Sequence, residues 1–203
     1  MRRTAAPNAN STAAAGEGTS MAGQLVYVMG PSGAGKDSLI AWLKEHLPPH
    51  LPVHLARRTI TRPIRHGDEQ HHGVSEQAFA LLHQAQAFAL DWQANGLRYG
   101  VRHDELAPLH RGKWVLVNGS RAYLPQAVAK FPHLTVVHVT ASLEVLRQRL
   151  LARGRETPEM VEARVQRALA FLPPPHAIEV RNNGSLAEAG TQLLRAFEGL
   201  RRD

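Results

Sequence analysis

From Gln24 onward, short apolar runs alternate with segments whose apolar residues recur every three or four positions. "QLVYVMG" (24–30) has the character of a buried strand closed by glycine. In "KDSLIAWLKEHL" (36–47), Leu39, Ile40, Leu43 and Leu47 fall on one helical face, and two prolines stop the pattern. "VHLARRTI" (53–60), "KWVLVNG" (113–119), "LTVVHVT" (134–140) and "HAIEVRN" (176–182) predict further strands. Helical spacing predicts helices over 75–86, 142–154, 157–172 and 185–200. Ser75 suits an N-cap, and Thr157 followed by Pro158 forms a cap and first-turn pair. "AFALDW" (87–92) and "LRYGV" (97–101) flank Asn95-Gly96 and predict a hairpin. Strands alternating with helices predict an α/β fold, a parallel sheet sandwiched by helices. The hairpin departs from that alternation and marks a small inserted substrate-binding subdomain.

The remaining composition narrows the class. The 203 residues suit one domain with a small lid. Residues 1–22, rich in Ala, Ser, Thr, Gly and Asn, lack apolar periodicity and read as a disordered tail. Arg2-Arg3 is followed by no apolar stretch of an export signal, and no apolar run approaches the ~20 residues of a membrane span. Cysteine is absent, which excludes disulfides and thiolate chemistry and suits a reducing cytoplasm, the expected location. The formal charge is +7, and only four of the 24 basic residues are lysines. Arginine suits bidentate grips on phosphate. The excess fits nucleic acid, a small multiply anionic substrate, or a genomic bias toward Arg codons. No nucleic-acid-binding motif supports the first, so no nucleic-acid and no membrane partner is expected.

"MGPSGAGKDSL" (29–39) carries the candidate chemistry. A phosphate-binding loop reads G-x-x-x-x-G-K-[ST], and Gly30, Gly35 and Lys36 fall where that pattern needs them. Such a loop aims backbone N–H groups at one point with a helix N-terminus behind them. The context matches: an apolar strand before, an amphipathic helix after. The nucleotide-binding candidates are Gly30, Pro31, Ser32, Gly33, Ala34, Gly35, Lys36, Asp37 and Ser38, with Lys36 reaching the β- and γ-phosphates. Asp37 stands where a Ser or Thr hydroxyl usually meets Mg²⁺. Its carboxylate suits Mg²⁺ directly or through water; it also suits a helix first turn on electrostatic grounds alone. Further along, "RRTITRPIRHGDE" (57–69) places Arg57, Arg58, Arg62 and Arg65 within nine positions, as an anion clamp would. Asn118, Ser120 and Arg121 lie at the end of a predicted central strand, where α/β sheets bind ligands.

"GPSGAGK", "TITRPIR", "LRYG" and "RLLARGRETPEMVEARV", in that order, resemble the guanylate kinase-like P-loop family across about residues 24–172. The resemblance implies a kinase with ATP as co-substrate, Mg²⁺, and a helical lid. It assigns the acceptor phosphate to Arg62, Arg65 and Tyr99, and the transferring phosphoryl group to Lys36 with the lid residues Arg149, Arg153 and Arg164. It places the acceptor insert at about 57–103 and the lid at about 147–164, within one domain over 23–203.

The sequence departs from guanylate kinases on the acceptor side. Their D-Y-x-F segment is replaced by "EQHHGVS" (69–75), and their Asp-containing strand end by "VNGSRAYLP" (117–125). Together with the Asp after the loop lysine, these segments resemble the ribose 1,5-bisphosphate phosphokinases of bacterial phosphonate degradation. That resemblance implies phosphoryl transfer from ATP to a sugar bisphosphate, held by Arg58, Arg62, Arg65, His71, Tyr99, Asn118 and Arg121. Metal binding by His71-His72 is disfavoured, because neighbours on an extended chain point to opposite sides.

Overall fold

The computed structural model describes residues 23–63, 71–154 and 156–200; the predicted tail and Arg65 lie outside these. The central sheet has the strand order β2-β7-β1-β8-β9, with all pairs parallel. Its strands are β1 (Leu25–Met29), β2 (Val53–Leu55), β7 (Trp114–Asn118), β8 (Thr135–Thr140) and β9 (Ile178–Arg181). Every residue of β1 is buried, as expected of a parallel strand covered on both faces. Val26 and Val28 pack toward α1 (Lys36–His46) and α7 (Leu186–Leu200), against Leu39, Leu43, Leu193 and Phe197. Leu25, Tyr27 and Met29 point the other way, into a second core.

A second sheet supplies much of that second core. It runs β4-β3-β6-β5, with β3 (Arg58–Ile60), β4 (His72–Gly73), β5 (Phe88–Ala94) and β6 (Leu97–Arg102). Leu90, Trp92 and Val101 of this sheet pack with Tyr27 and Met29 of the main sheet. The β5–β6 turn is the predicted one: Asn95 and Gly96 have φ of 52° and 74°, the pair of positive values a two-residue type I′ hairpin requires. Helix α2 (Glu76–Gln84) starts where Ser75 predicts, its Oγ accepting from Ala78 N at 3.1 Å.

The stretch 53–60, predicted as one strand, is two. β2 pairs with β7 of the central sheet, and β3 pairs with β6 of the second. The ladder breaks between them because Arg57 N donates to the Glu105 carboxylate at 3.0 Å instead of to a strand. Three short elements escaped the periodicity: β4, α3 (His103–Leu106) and α4 (Leu124–Lys130). Two to seven residues carry too little pattern to detect. The last pair of helices before β9 are α5 (Leu143–Ala152) and α6 (Pro158–Leu169); Thr157 caps α6 as expected, and Ser142 caps α5. They share a small core of Leu150, Val161 and Val165. No helix among the described residues is long and apolar enough to cross a membrane.

Candidate active site

The glycine loop turns sharply between β1 and α1. Gly33 and Gly35 have φ of 89° and 82°, values at which a side chain is strained. Gly35 is the last residue before α1, and its carbonyl accepts the helix's Leu39 N–H at 2.9 Å. A Cβ at Gly35 would also lie 2.5 Å from Asn182 Nδ2. That buried amide donates to Ala34 O at 2.8 Å and braces the loop from β9. Arg149 reaches the same loop from α5, donating to Gly33 O at 3.5 Å.

Lys36 folds back over the loop and donates to Gly30 O at 2.9 Å and Pro31 O at 3.3 Å. Burial pushes its pKa down to about 8; Asp37 pulls upward, and Arg58, Arg121 and Arg153 push further down. Asp37 accepts from Asn118 Nδ2 at 2.6 Å, and Arg58 Nη2 stands 3.5 Å from the same oxygen. Arg58 Nη1 also donates to Asn118 O at 3.5 Å. The residue that breaks the usual loop pattern thus joins the loop to the end of β7 and the start of the second sheet.

Arg58 lies 5.5 Å from the Tyr99 ring centroid, and Tyr99 stacks on Trp92 at 5.5 Å. Trp92 in turn stacks on Tyr123 at 5.6 Å. Arg58, Tyr99 and Trp92 border a cleft of about 530 Å³ between the loop, the second sheet and α6. Of the predicted residues, Gly30, Ser32, Gly33, Gly35, Lys36, Asp37 and Ser38 line it from the loop. Arg58, Arg62, Tyr99, Asn118, Arg121, Arg153 and Arg164 line it from elsewhere. Pro31, Ala34, Arg149 and His71 are not in its lining. His71 is buried, with Nε2 3.3 Å from Arg62 O, so it braces the backbone just after β3, and it is not in the cleft lining. Arg164 is ion-paired with Glu156. Trp92, Arg167 and Phe171 also line the cleft; sequence reading passed over them because aromatic and basic residues on helices and strands are common.

Glu105, which carries no motif in the sequence, pins the crossing between the sheets. Its buried carboxylate accepts from Arg57 N and Arg57 Nε at 3.0 and 3.2 Å, and lies 3.2 Å from His54 Nε2. Burial alone would raise its pKa. The Arg57 N–H, the His54 ring and the Arg57 guanidinium outweigh burial and hold it below the ordinary value. Its contribution to stability is therefore present above the usual Glu range and is lost as acid protonates it. Glu105→Ala should cost roughly 3 kcal/mol in urea unfolding at pH 7, with a smaller loss at pH 4. An unchanged midpoint at pH 7 would refute the pin.

A parallel sheet, a glycine loop closing on a half-buried lysine, and a cleft walled by arginines define a P-loop phosphotransferase. No family model matches the chain. It is 46% identical to the ribose 1,5-bisphosphate phosphokinase PhnN of Chromobacterium violaceum over 180 residues, covering 89% of this chain and 96% of that one. It is 48% identical over 172 residues, 85% of this chain, to the PhnN of Laribacter hongkongensis, of whose length the match spans 42%. The PhnN of Rhizobium etli is 43% identical over 88% of this chain and 91% of its own. The chain belongs to the ribose 1,5-bisphosphate phosphokinase PhnN family. Its fold is that of the guanylate kinase of Anaplasma phagocytophilum, with a TM-score of 0.65 at 15% identity over 90% of this chain and 88% of that one.

Proposed function

We infer that the chain transfers the γ-phosphoryl group of ATP to the 1-phosphate of ribose 1,5-bisphosphate, giving 5-phospho-α-D-ribose 1-diphosphate and ADP. The observation that carries this reading is one cleft joining a phosphate loop to the Arg58, Arg62 and Tyr99 wall, in a chain of this family. An acceptor phosphate oxygen forms the new bond to the γ-phosphorus, and the bond to the β-bridging oxygen breaks, leaving ADP. A phosphate monoester with a second pKa of about 6 is already dianionic at neutral pH, so the nucleophile needs no general base. The barrier is repulsion between two anions and their alignment.

The residues divide that work. Loop N–H groups and Lys36 take the donor phosphates, with Arg153 beside them. Arg58, Arg62 and Tyr99 orient the acceptor. Asp37, the acidic side chain of the cleft lining, fits Mg²⁺ in the mode of one carboxylate plus substrate phosphates and waters. Among the described residues no cluster of three His, Asp or Glu side chains is placed to hold a metal. Mg²⁺, when bound, would neutralise phosphate charge. Asn118 and Arg58 orient the Asp37 carboxylate.

ADP release from ATP and Mg²⁺, measured with ribose 1,5-bisphosphate and with GMP as separate acceptors, tests the reading. Turnover with the sugar bisphosphate supports it; turnover with GMP alone overturns it. Arg62→Ala should lower kcat/KM for the acceptor about 100-fold while moving the ATP dissociation constant less than threefold. Equal losses on both substrates would remove Arg62 from the acceptor wall.

A further inference from the structure

The acceptor of the proposed reaction carries two phosphates, of which one reacts. Arg58, Arg62 and Tyr99 form one grip. The cleft has a second set of cations on different elements. Arg121 follows β7, at the start of a short helical turn, and Arg167 projects from α6. Arg121 is held in place: its guanidinium lies 4.9 Å from the Phe171 ring centroid, and Nη1 donates to Arg167 O at 3.4 Å. Burial and the like charge of Arg167 both disfavour its protonated form.

Two of the arginines around them are neutralised. Arg147 of α5 pairs with Glu162 at 2.9 Å, and Arg164, one turn before Arg167, pairs with Glu156. Among the described residues, neither Arg121 nor Arg167 has a carboxylate within ion-pair distance. Two uncompensated guanidinium groups at one place, one of them fixed, form a receptor for a dianion. Arg58, Arg62, Arg121, Arg167 and Lys36 all line the same cleft, so the two grips face one centre. Arg121 comes three residues after Asn118, whose carbonyl accepts from Arg58.

We propose that Arg121 and Arg167 bind the non-reacting 5-phosphate of the acceptor, a subsite that selects a sugar bisphosphate over a monophosphate. The proposal rests on the reaction assigned above. It accounts for a cation pair that a nucleoside monophosphate, with one phosphate, would leave uncompensated.

The test compares wild type and Arg167→Gln. Arg167 is exposed on its helix, so the variant should fold, as an unchanged Tm will show. Three quantities are measured: kcat/KM with ribose 1,5-bisphosphate, kcat/KM with ribose 1-phosphate, and the Kd of ribose 5-phosphate by calorimetry. The variant should lose about 10–100-fold on the bisphosphate and on ribose 5-phosphate binding. Ribose 1-phosphate turnover and the KM for ATP should stay within twofold. Equal losses on both acceptors, or a raised KM for ATP, would assign Arg167 to the donor and overturn the subsite. Wild-type inactivity with ribose 1,5-bisphosphate would instead overturn the reaction assigned above. Ribose 5-phosphate binding then still decides the subsite: dependence on Arg167 sustains it, and independence overturns it.

Discussion

Lys36→Met should abolish turnover and leave the protein more stable at neutral pH. The loss of activity follows from removing the cation proposed to meet the transferring phosphoryl group, worth about 10³-fold in kcat or more. The gain in stability follows from the environment that the loop and the cleft arginines impose. Burial and three nearby guanidinium groups lower the Lys36 pKa from 10.5 to about 8, so holding its charge in the fold costs on the order of 3 kcal/mol. Losing its bonds to Gly30 O and Pro31 O offsets about 1 kcal/mol of the relief. The variant should therefore unfold at about 2 kcal/mol higher free energy at pH 7. The unfolded lysine binds its proton more tightly than the folded one. Raising the pH from about 8 to 10.5 thus stabilises wild type relative to the variant, and the gap should close across that window. Urea unfolding at pH 7 and pH 10 checks this, beside an ADP-release assay. A variant with wild-type turnover, or one less stable at pH 7, would sink the account.

Gly30→Ala should unfold about 3 kcal/mol more easily, lowering Tm by roughly 6–12 °C, and should bind ATP poorly. Conformational freedom is not the reason, since Gly30 is not among the positive-φ glycines. A Cβ at Gly30 would lie 2.2 Å from the carbonyl oxygen of Val139 in β8. That oxygen belongs to the buried sheet, so relief requires parting the loop from a central strand. Gly33→Ala makes the contrast. Its Cβ would approach Leu150 Cγ no closer than 3.3 Å, leaving mainly the strain of its φ of 89°, roughly 1–2 kcal/mol. Thermal unfolding of the two variants separates close approach from backbone strain. A Gly30 variant melting within 2 °C of wild type would show that the loop relaxes freely.

The long, strongly periodic elements were legible in the sequence because period and burial agree. All five residues of β1 are apolar and buried, and Leu39 and Leu43 of α1 meet the same core. The loop was legible because its glycines and lysine occupy fixed offsets. What was not legible depends on tertiary contact. "VHLARRTI" reads as one strand, and only Glu105, some fifty residues later, divides it. His71 resembles a site residue by position, yet the fold turns it inward onto Arg62 O. Asn182 supports the loop from the opposite end of the chain, and an asparagine after a strand carries no signal of that role. Asp37 reads in the sequence as a Mg²⁺ carboxylate or a helix first-turn acid; its bond to Asn118 depends on β7 lying beside β1.

The shared core of the two sheets limits how this enzyme can change its acceptor. Leu90, Trp92 and Val101 have no hydrophobic interior of their own; they close against Leu25, Tyr27 and Met29 of the main sheet. The segment proposed to bind the acceptor is consequently no cassette. Excising it would bare part of one face of the central sheet, and grafting in another would require a matching face beneath it. New specificities are open to this scaffold chiefly through side chains at the cleft surface, while the backbone that presents them is inherited with the sheet below.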